Sequence, residues 1–396
     1  MRIGIDGTHW SNQRGYGRYA RGLITAVLQQ PHGHDYILFV DTHTHDHAPL
    51  PTTIEIVTVQ TRSAQAASEN ERRSVGDMLA MGARVGRADL DVMVYPSVYT
   101  YFPALTRAVR LVGIHDVIPE KYPALIFPSG KGQLAWTAKS MLARLQADAL
   151  LTVSEYAKRE IVKIFNWRAD RTYVVGEAPD PAFMPITDPV RIDAARDQAG
   201  VPRSARYFVY LGGVNPHKNV IALLRAFVEV SARDAMRDLH LVLIGPQSND
   251  VFTAGIGAAK SEAERLGALE RIHFTDFLPD EQVALLLNGA VALILPSLEE
   301  GYGLPGIEAA ACGTPVIGTI NSALPDVLGG GGIFFDPRQP DALRAAMVDL
   351  LSDPARRDTL GQMALTRARA LTWQNAAAQF DAVVTAITQA RGKRIR

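Results

Sequence analysis

Short apolar runs alternate with longer stretches of helical periodicity along almost the whole chain. In the first half the runs are RIGID (2–6), YILFVD (36–41), TIEIVTV (53–59), DVMVYPS (91–97), RLVGIHD (110–116), ALLTVSE (149–155) and TYVVG (172–176). Near-continuous apolar segments of this length, separated by helical patterns, predict parallel strands buried on both faces. The second half repeats the theme with YFVYLGG (207–213), HLVLIGP (240–246), ALILPS (292–297) and TPVIG (314–318), with Val220, Leu223, Leu224 and Phe227 at helical spacing between the first two. The reading is two α/β units.

Between the halves, APDPAFMPITDPV (178–190) carries four prolines in thirteen residues, which forbids regular helix or central strand. The expected division is residues 1–182 and 190–372. Beyond it, Trp373, Ala377, Phe380, Val384 and Ile387 keep helical spacing, predicting a helix over 373–390 that needs a surface to cover. The basic tail RGKRIR behind it reads as a solvated end. A chain of 396 residues is long enough for two cores, and an apolar fraction of 47% is that of a globular protein.

Charge and cysteine content narrow the function. Lys plus Arg and Asp plus Glu both number 41, so there is no global basic field to attract nucleic acid. A single cysteine, Cys312, excludes an internal disulfide and reads as a small buried hydrophobe in a reducing cytoplasm. The N-terminus lacks the apolar run of a signal peptide, and no stretch approaches the roughly 20 apolar residues of a membrane span.

The segment LPSLEEGYGLPGIEAAACGTPVIG (295–318) runs strand, acidic loop, glycine-rich turn and helix in succession. Gly301, Gly303 and Gly306 allow close backbone approach, and the helix start behind them offers N–H groups and a positive dipole end to a phosphate. Glu300 on the loop and Glu308 a turn into the helix flank that phosphate position. Paired carboxylates accept hydrogen bonds from hydroxyls, which suits a nucleoside diphosphate sugar.

This segment resembles the signature PS..EG[FY]G[LM]P..EA...G.PV of the retaining glycosyltransferases of family four, which have the two-domain GT-B architecture. It stands here as Pro296, Ser297, Glu300, Gly301, Tyr302, Gly303, Leu304, Pro305, Glu308, Ala309, Gly313, Pro315 and Val316. The resemblance extends through YLGGVNPHKN (210–219) and DFLPDEQVALLLNGA (276–290). It implies two Rossmann-like, doubly wound domains facing a cleft, the first binding acceptor and the second binding nucleotide sugar, with the C-terminal helix crossing back to the first. By the same resemblance Glu300 contacts the donor's sugar hydroxyls, backbone amides of Gly301, Tyr302, Gly303 and Leu304 hold sugar and diphosphate, Glu308 binds ribose and Lys218 neutralises the diphosphate. The arginine that usually accompanies this lysine is replaced by Gly213, leaving His217, Arg14 and Arg18 as candidates for a second positive charge.

His115 and Asp116 end the run LVGIH at the carboxyl edge of a parallel strand, where open α/β sheets bind ligands. The family has a donor-sugar-contacting histidine here, and His115 matches it; Asp116 reads equally as a cap. RGYGRYARGL (14–23) resembles the family's glycine loop, which places Gly15 and Gly17 near the donor phosphates. Gly15-x-Gly17-x-x-Ala20 with Asp41 beyond also resembles a dinucleotide fingerprint, but such a fingerprint follows its strand at once, and here residues 7–14 intervene. Asp89-Leu90-Asp91 has the D-x-D spacing of a metal site in another glycosyltransferase architecture, yet no His or Glu cluster completes a ligand set.

The expected reaction is retaining, metal-independent hexosyl transfer without a cofactor, from GDP-mannose or else a UDP-hexose, to a glycan or lipid-linked acceptor. The mannose reading follows a resemblance of GIDGT and RGYGRYARGL to bacterial mannosyltransferases of polysaccharide biosynthesis. A GT-B sugar-nucleotide epimerase and a non-catalytic nucleotide-sugar-binding protein are the alternatives. The stretch 129–146 mixes Lys131, Lys139 and Arg144 with Leu134, Trp136, Met141, Leu142 and Leu145, an amphipathic pattern suited either to packing on a sheet or to weak peripheral contact with the inner face of a membrane.

Overall fold

The computed structural model describes residues 1–12, 15–31, 33–61, 74–245 and 253–395. Two compact units emerge: Met1–Pro123, Phe127–Glu177 and Thr372–Arg396 form one, and Ala124–Ile126 with Ala178–Leu371 the other.

The first unit is built on seven strands: β1 (Arg2–Asp6), β2 (Asp35–Asp41), β3 (Glu55–Val59), β4 (Val92–Tyr95), β5 (Val109–Gly113), β6 (Ala149–Thr152) and β7 (Thr172–Val174). They lie in the order β3-β2-β1-β4-β5-β6-β7, all parallel. The central strands are buried throughout, which is why their sequences show no apolar–polar alternation. The helix Gly15–Gln29 buries Tyr19, Leu23, Ile24 and Val27 at helical period.

Onto this helix returns Trp373–Ile395, which buries Ala377, Phe380, Val384 and Ile387. A Cβ at Gly22 would stand 2.5 Å from the Trp373 indole, so the close approach of the two helices requires glycine there. Gln30 donates to the Gln374 carbonyl at 2.8 Å, and His34 lies 3.1 Å from Asp381. Full burial of each large apolar side chain along the seam is worth about 1.5–3 kcal/mol.

The second unit carries β8 (Arg206–Leu211), β9 (Leu239–Ile244), β10 (Ile272–Thr275), β11 (Ala292–Leu295), β12 (Val316–Thr319) and β13 (Gly332–Phe335), in the parallel order β10-β9-β8-β11-β12-β13. The strands β10 and β13 are additions to the sequence reading. Both are sheet edges only partly buried, so neither shows the continuous apolar run that marks the inner strands. Pro189 opens the helix Pro189–Gln198, whose first amides, Val190 and Arg191, are capped by the Asp188 carboxylate.

In each sheet the strand order reverses once, between β1 and β4 and between β8 and β11. The crevice outside the carboxyl ends at such a switch point is where open α/β sheets bind ligands. Asp91, by contrast, sits at the opposite, amino edge, where its carboxylate accepts from the Arg2 amide at 2.8 Å and ties β4 to β1.

The helix Gly130–Gln146 departs from a core-packing helix. It buries only Ser140 and Ala143, and leaves Leu134 70% and Leu145 74% exposed, with Met141 and Leu142 also at the surface.

One polar pair in the second unit titrates. His240 Nδ1 and His273 Nε2, on neighbouring strands, are 2.8 Å apart, one ring donating to the other. Burial, then the neighbouring imidazole, lowers His273 from 6.5 to about 4, and burial followed by Arg271 lowers His240. A histidine whose folded pKa is depressed stabilises the fold fully above its unfolded value and loses that contribution as pH falls toward the folded one. The melting temperature should therefore hold above about pH 6.5 and drop between there and pH 4, and His273→Gln should show a shallower drop by calorimetry over the same interval.

Candidate functional site

Two loops meet at the β8/β11 switch point. After Leu211 the chain passes Gly212 and Gly213 into a 3-10 turn, Pro216–Lys218, then through Asn219 in the left-handed region (φ 56°) into the helix Val220–Ser231. After Leu295 it runs through Pro296–Glu300. The Leu298 amide donates to the His217 carbonyl at 2.8 Å, and Asn219 Nδ2 to the Pro296 carbonyl at 3.2 Å. These bonds bring the side chains of Lys218 and Glu300 together: Nζ lies 2.7 and 2.9 Å from the two carboxylate oxygens.

The Ser297 hydroxyl donates to Glu300 Oε1 at 2.6 Å, and the Glu300 amide to the Asn321 carbonyl at 2.9 Å. Burial alone would raise the Glu300 carboxyl, but Lys218 and Ser297 outweigh it and hold the group below the usual carboxylate range. The two loops therefore bring an ionised carboxylate and an ammonium together at the carboxyl edge of the sheet.

The glycine turn follows directly. Gly303 caps the helix Leu304–Ala311 at φ 94°, a conformation that disfavours a side chain, and a Cβ there would also stand 2.9 Å from Leu324. The first helical amides lie behind it, next to Glu300 in the chain. Glu308 is on the same helix, 1% exposed, and Tyr302 is buried. Glu308 is thus more enclosed than a carboxylate on an open helix start, so a test of its role needs the isosteric glutamine.

In the first unit His115 follows β5 at the carboxyl edge. Its Nε2 donates to the Pro96 carbonyl at 2.7 Å, which leaves Nδ1 with its lone pair, and Tyr19 packs edge-on against the ring at 4.7 Å. Burial lowers its pKa to about 4, so it is neutral at physiological pH. Asp116 accepts from the Ile118 amide at 2.9 Å, the capping role. At Gly17 a Cβ would meet the Asn12 carbonyl at 2.1 Å, whereas Gly15 has open space around its Cα.

Gly15, Gly17 and His115 belong to the first unit, and Lys218, Gly301–Leu304, Glu300 and Glu308 to the second. Sequence reasoning missed the part played by Ser297, and also a buried cluster at the end of β1: the Asp6 carboxylate accepts from Thr8 Oγ1 and from Thr100 Oγ1, both at 2.7 Å. The serine stands within the quoted motif, but its bond to Glu300 depends on loop geometry. In the unliganded site His217 carries no charge at neutral pH: burial, then Lys218, lowers its pKa to about 4. Arg18 lies on the first unit's helix and Arg14 outside the described residues. Among the described residues no group of three or more His, Cys, Asp or Glu could hold a metal.

Residues 191–367 match the family model of glycosyl transferases group 1. The chain is 29% identical over 294 residues to the O-antigen chain mannosyltransferase B of Escherichia coli, covering 72% of each. It is 28% identical over 246 residues to a D-inositol 3-phosphate glycosyltransferase of Corynebacterium efficiens, spanning 62% of this chain and 58% of that relative. In fold it is similar to sucrose-phosphate synthase from Thermosynechococcus elongatus (TM-score 0.78, 19% identity, 98% of this chain and 100% of that one). It is also similar to WaaG, a glycosyltransferase involved in lipopolysaccharide biosynthesis (TM-score 0.72, 16% identity, 97% and 99%). The chain is a glycosyltransferase with the GT-B fold. More particularly, its sequence is similar to those of bacterial mannosyltransferases.

Lys218→Ala should leave Glu300 buried without its counter-ion, raising its carboxyl pKa and costing about 2 kcal/mol in denaturant unfolding. Adding Glu300→Gln should recover most of that loss; additive losses would show that the pair contributes no coupling.

Proposed function

We propose that the protein transfers a hexose with retention from a nucleoside diphosphate sugar, GDP-mannose ahead of a UDP-hexose, to a glycan or lipid-linked acceptor, without a metal. The observation that carries this reading is the Lys218–Glu300 pair at the β8/β11 switch point, next to a helix start opened by Gly303.

Each group then has a task. Departure of the diphosphate develops negative charge on the leaving oxygen, and Lys218 with the amides of Gly301–Leu304 stabilises it in place of a metal. Lys218 must turn from Glu300 toward the phosphate, which frees the Glu300 carboxylate to accept from sugar hydroxyls. Glu308 pairs with the ribose. The first unit binds the acceptor, with His115 offering a neutral Nδ1 to a sugar hydroxyl. Retention follows same-face attack by the acceptor hydroxyl, its proton passing to the departing phosphate oxygen, in keeping with the family resemblance and the absence of an assigned carboxylate nucleophile. The E. coli relative named a mannosyltransferase supports the mannose donor.

The deciding experiment is a donor screen by thermal shift with GDP, UDP, ADP and their sugars, since a ligand that binds only the folded state raises the melting temperature. A GDP or GDP-mannose shift larger than the UDP shifts is expected, and turnover with an added glycan acceptor should survive excess EDTA. Activity lost with EDTA and restored by Mg²⁺ or Mn²⁺ overturns the metal-free route; a product that is an epimerised nucleotide sugar, with no transfer, overturns the transferase reading.

No helix among the described residues is long and apolar enough to cross a membrane. We place the reaction at the cytoplasmic face, with weak peripheral contact through Gly130–Gln146. The exposed leucines of that helix, and its lack of any acidic residue beside Lys131, Lys139 and Arg144, support this. The protein should cosediment with anionic liposomes at low salt and release as salt rises, and Lys131→Glu with Lys139→Glu should reduce binding. A parent protein that stays in the supernatant would make this helix a packing element alone and leave the acceptor either soluble or presented by another protein.

A further inference from the structure

One imidazole at the donor site has no task in the scheme above. His217 is 7% exposed, in the turn Pro216–Lys218 that Leu298 and Asn219 fasten to the opposite loop. Lys218 and Glu300 both act electrostatically on its ring, the lysine against protonation and the carboxylate for it. Its Nδ1 is buried and makes no hydrogen bond.

Two physical consequences follow. Burial and the adjacent ammonium keep the ring uncharged at neutral pH, so it carries one proton on one nitrogen. A buried N–H without an acceptor is costlier and rarer than a buried bare acceptor, so the proton belongs on Nε2. The ring is therefore oriented with a bare nitrogen inward and a single neutral N–H on its other side, on the same turn as Lys218.

We propose, resting on the nucleotide-sugar reading, that His217 is a further donor-binding residue that gives its Nε2–H to a diphosphate oxygen beside the one Lys218 neutralises. A diphosphate presents only acceptor oxygens, which matches an N–H and an ammonium on one turn. Where the family arginine is replaced by Gly213, this neutral donor supplies a hydrogen bond rather than a charge. A second full positive charge next to Lys218 would meet its repulsion in a buried setting, which the neutral tautomer avoids.

The tautomer makes the test specific. Glutamine can place its amide N–H₂ where Nε2 stands, asparagine places it near Nδ1, and phenylalanine keeps the ring shape without a donor. Calorimetric titration with GDP and UDP should show His217→Gln within about threefold of the parent, and His217→Phe and His217→Asn weaker by about tenfold or more. Affinity for guanosine or uridine should be unchanged in all three, and their melting temperatures should match the parent's.

Diphosphate binding by His217→Phe as tight as the parent's overturns the assignment. So do equal losses in all three variants that extend to the nucleosides, which would make His217 an anchor of its turn alone. A parent that binds neither GDP nor UDP removes the donor reading itself, and a parent that binds while the variants do not discriminate removes only His217.

Discussion

A parallel sheet covered by helices on both faces has nowhere to place an ionised group except at the ends of its strands. Both sheets of this protein obey that constraint. Their inner strands are almost wholly apolar, so Asp6 stands at the very end of β1, and Lys218 and Glu300 lie in the loops past a carboxyl end. Order reversal at β1/β4 and β8/β11 then opens room between adjacent loops. In the second unit that room is closed by the Lys218–Glu300 bond, which satisfies two charged groups that would otherwise be costly to bury.

In the reaction we propose, that pairing also sets the energetics of ligand capture. The lysine neutralises a carboxylate of its own chain and would give it up for a diphosphate. Binding would then be an exchange of partners rather than the filling of an empty charged pocket, with a net gain smaller than a bare ammonium would give. Ser297, which donates to Glu300, would hold the released carboxylate in place.

The inner strands could be read from sequence because burial on both faces writes itself as an uninterrupted apolar run. The edge strands β10 and β13 could not, since IHFT and GIFF are short and only partly covered. The motif around Glu300 and Glu308 was visible residue by residue, as was Lys218. Their bonding was not, because it joins positions 82 residues apart through two loops and depends on the left-handed turn at Asn219. Charge state was equally hidden: His217 looked like a substitute cation in sequence, and only its burial beside Lys218 makes it neutral.

The helix Trp373–Ile395 has a consequence for the order in which the molecule can be made. It covers the helix Gly15–Gln29, with the Trp373 indole seated against Gly22, yet it is synthesised after all of residues 178–371. A ribosome will have finished the entire second unit before the first receives its cover. Until then the exposed part of the Gly15–Gln29 surface must wait in water, so the amino-terminal half is open to chaperones and proteases longest although it emerges first.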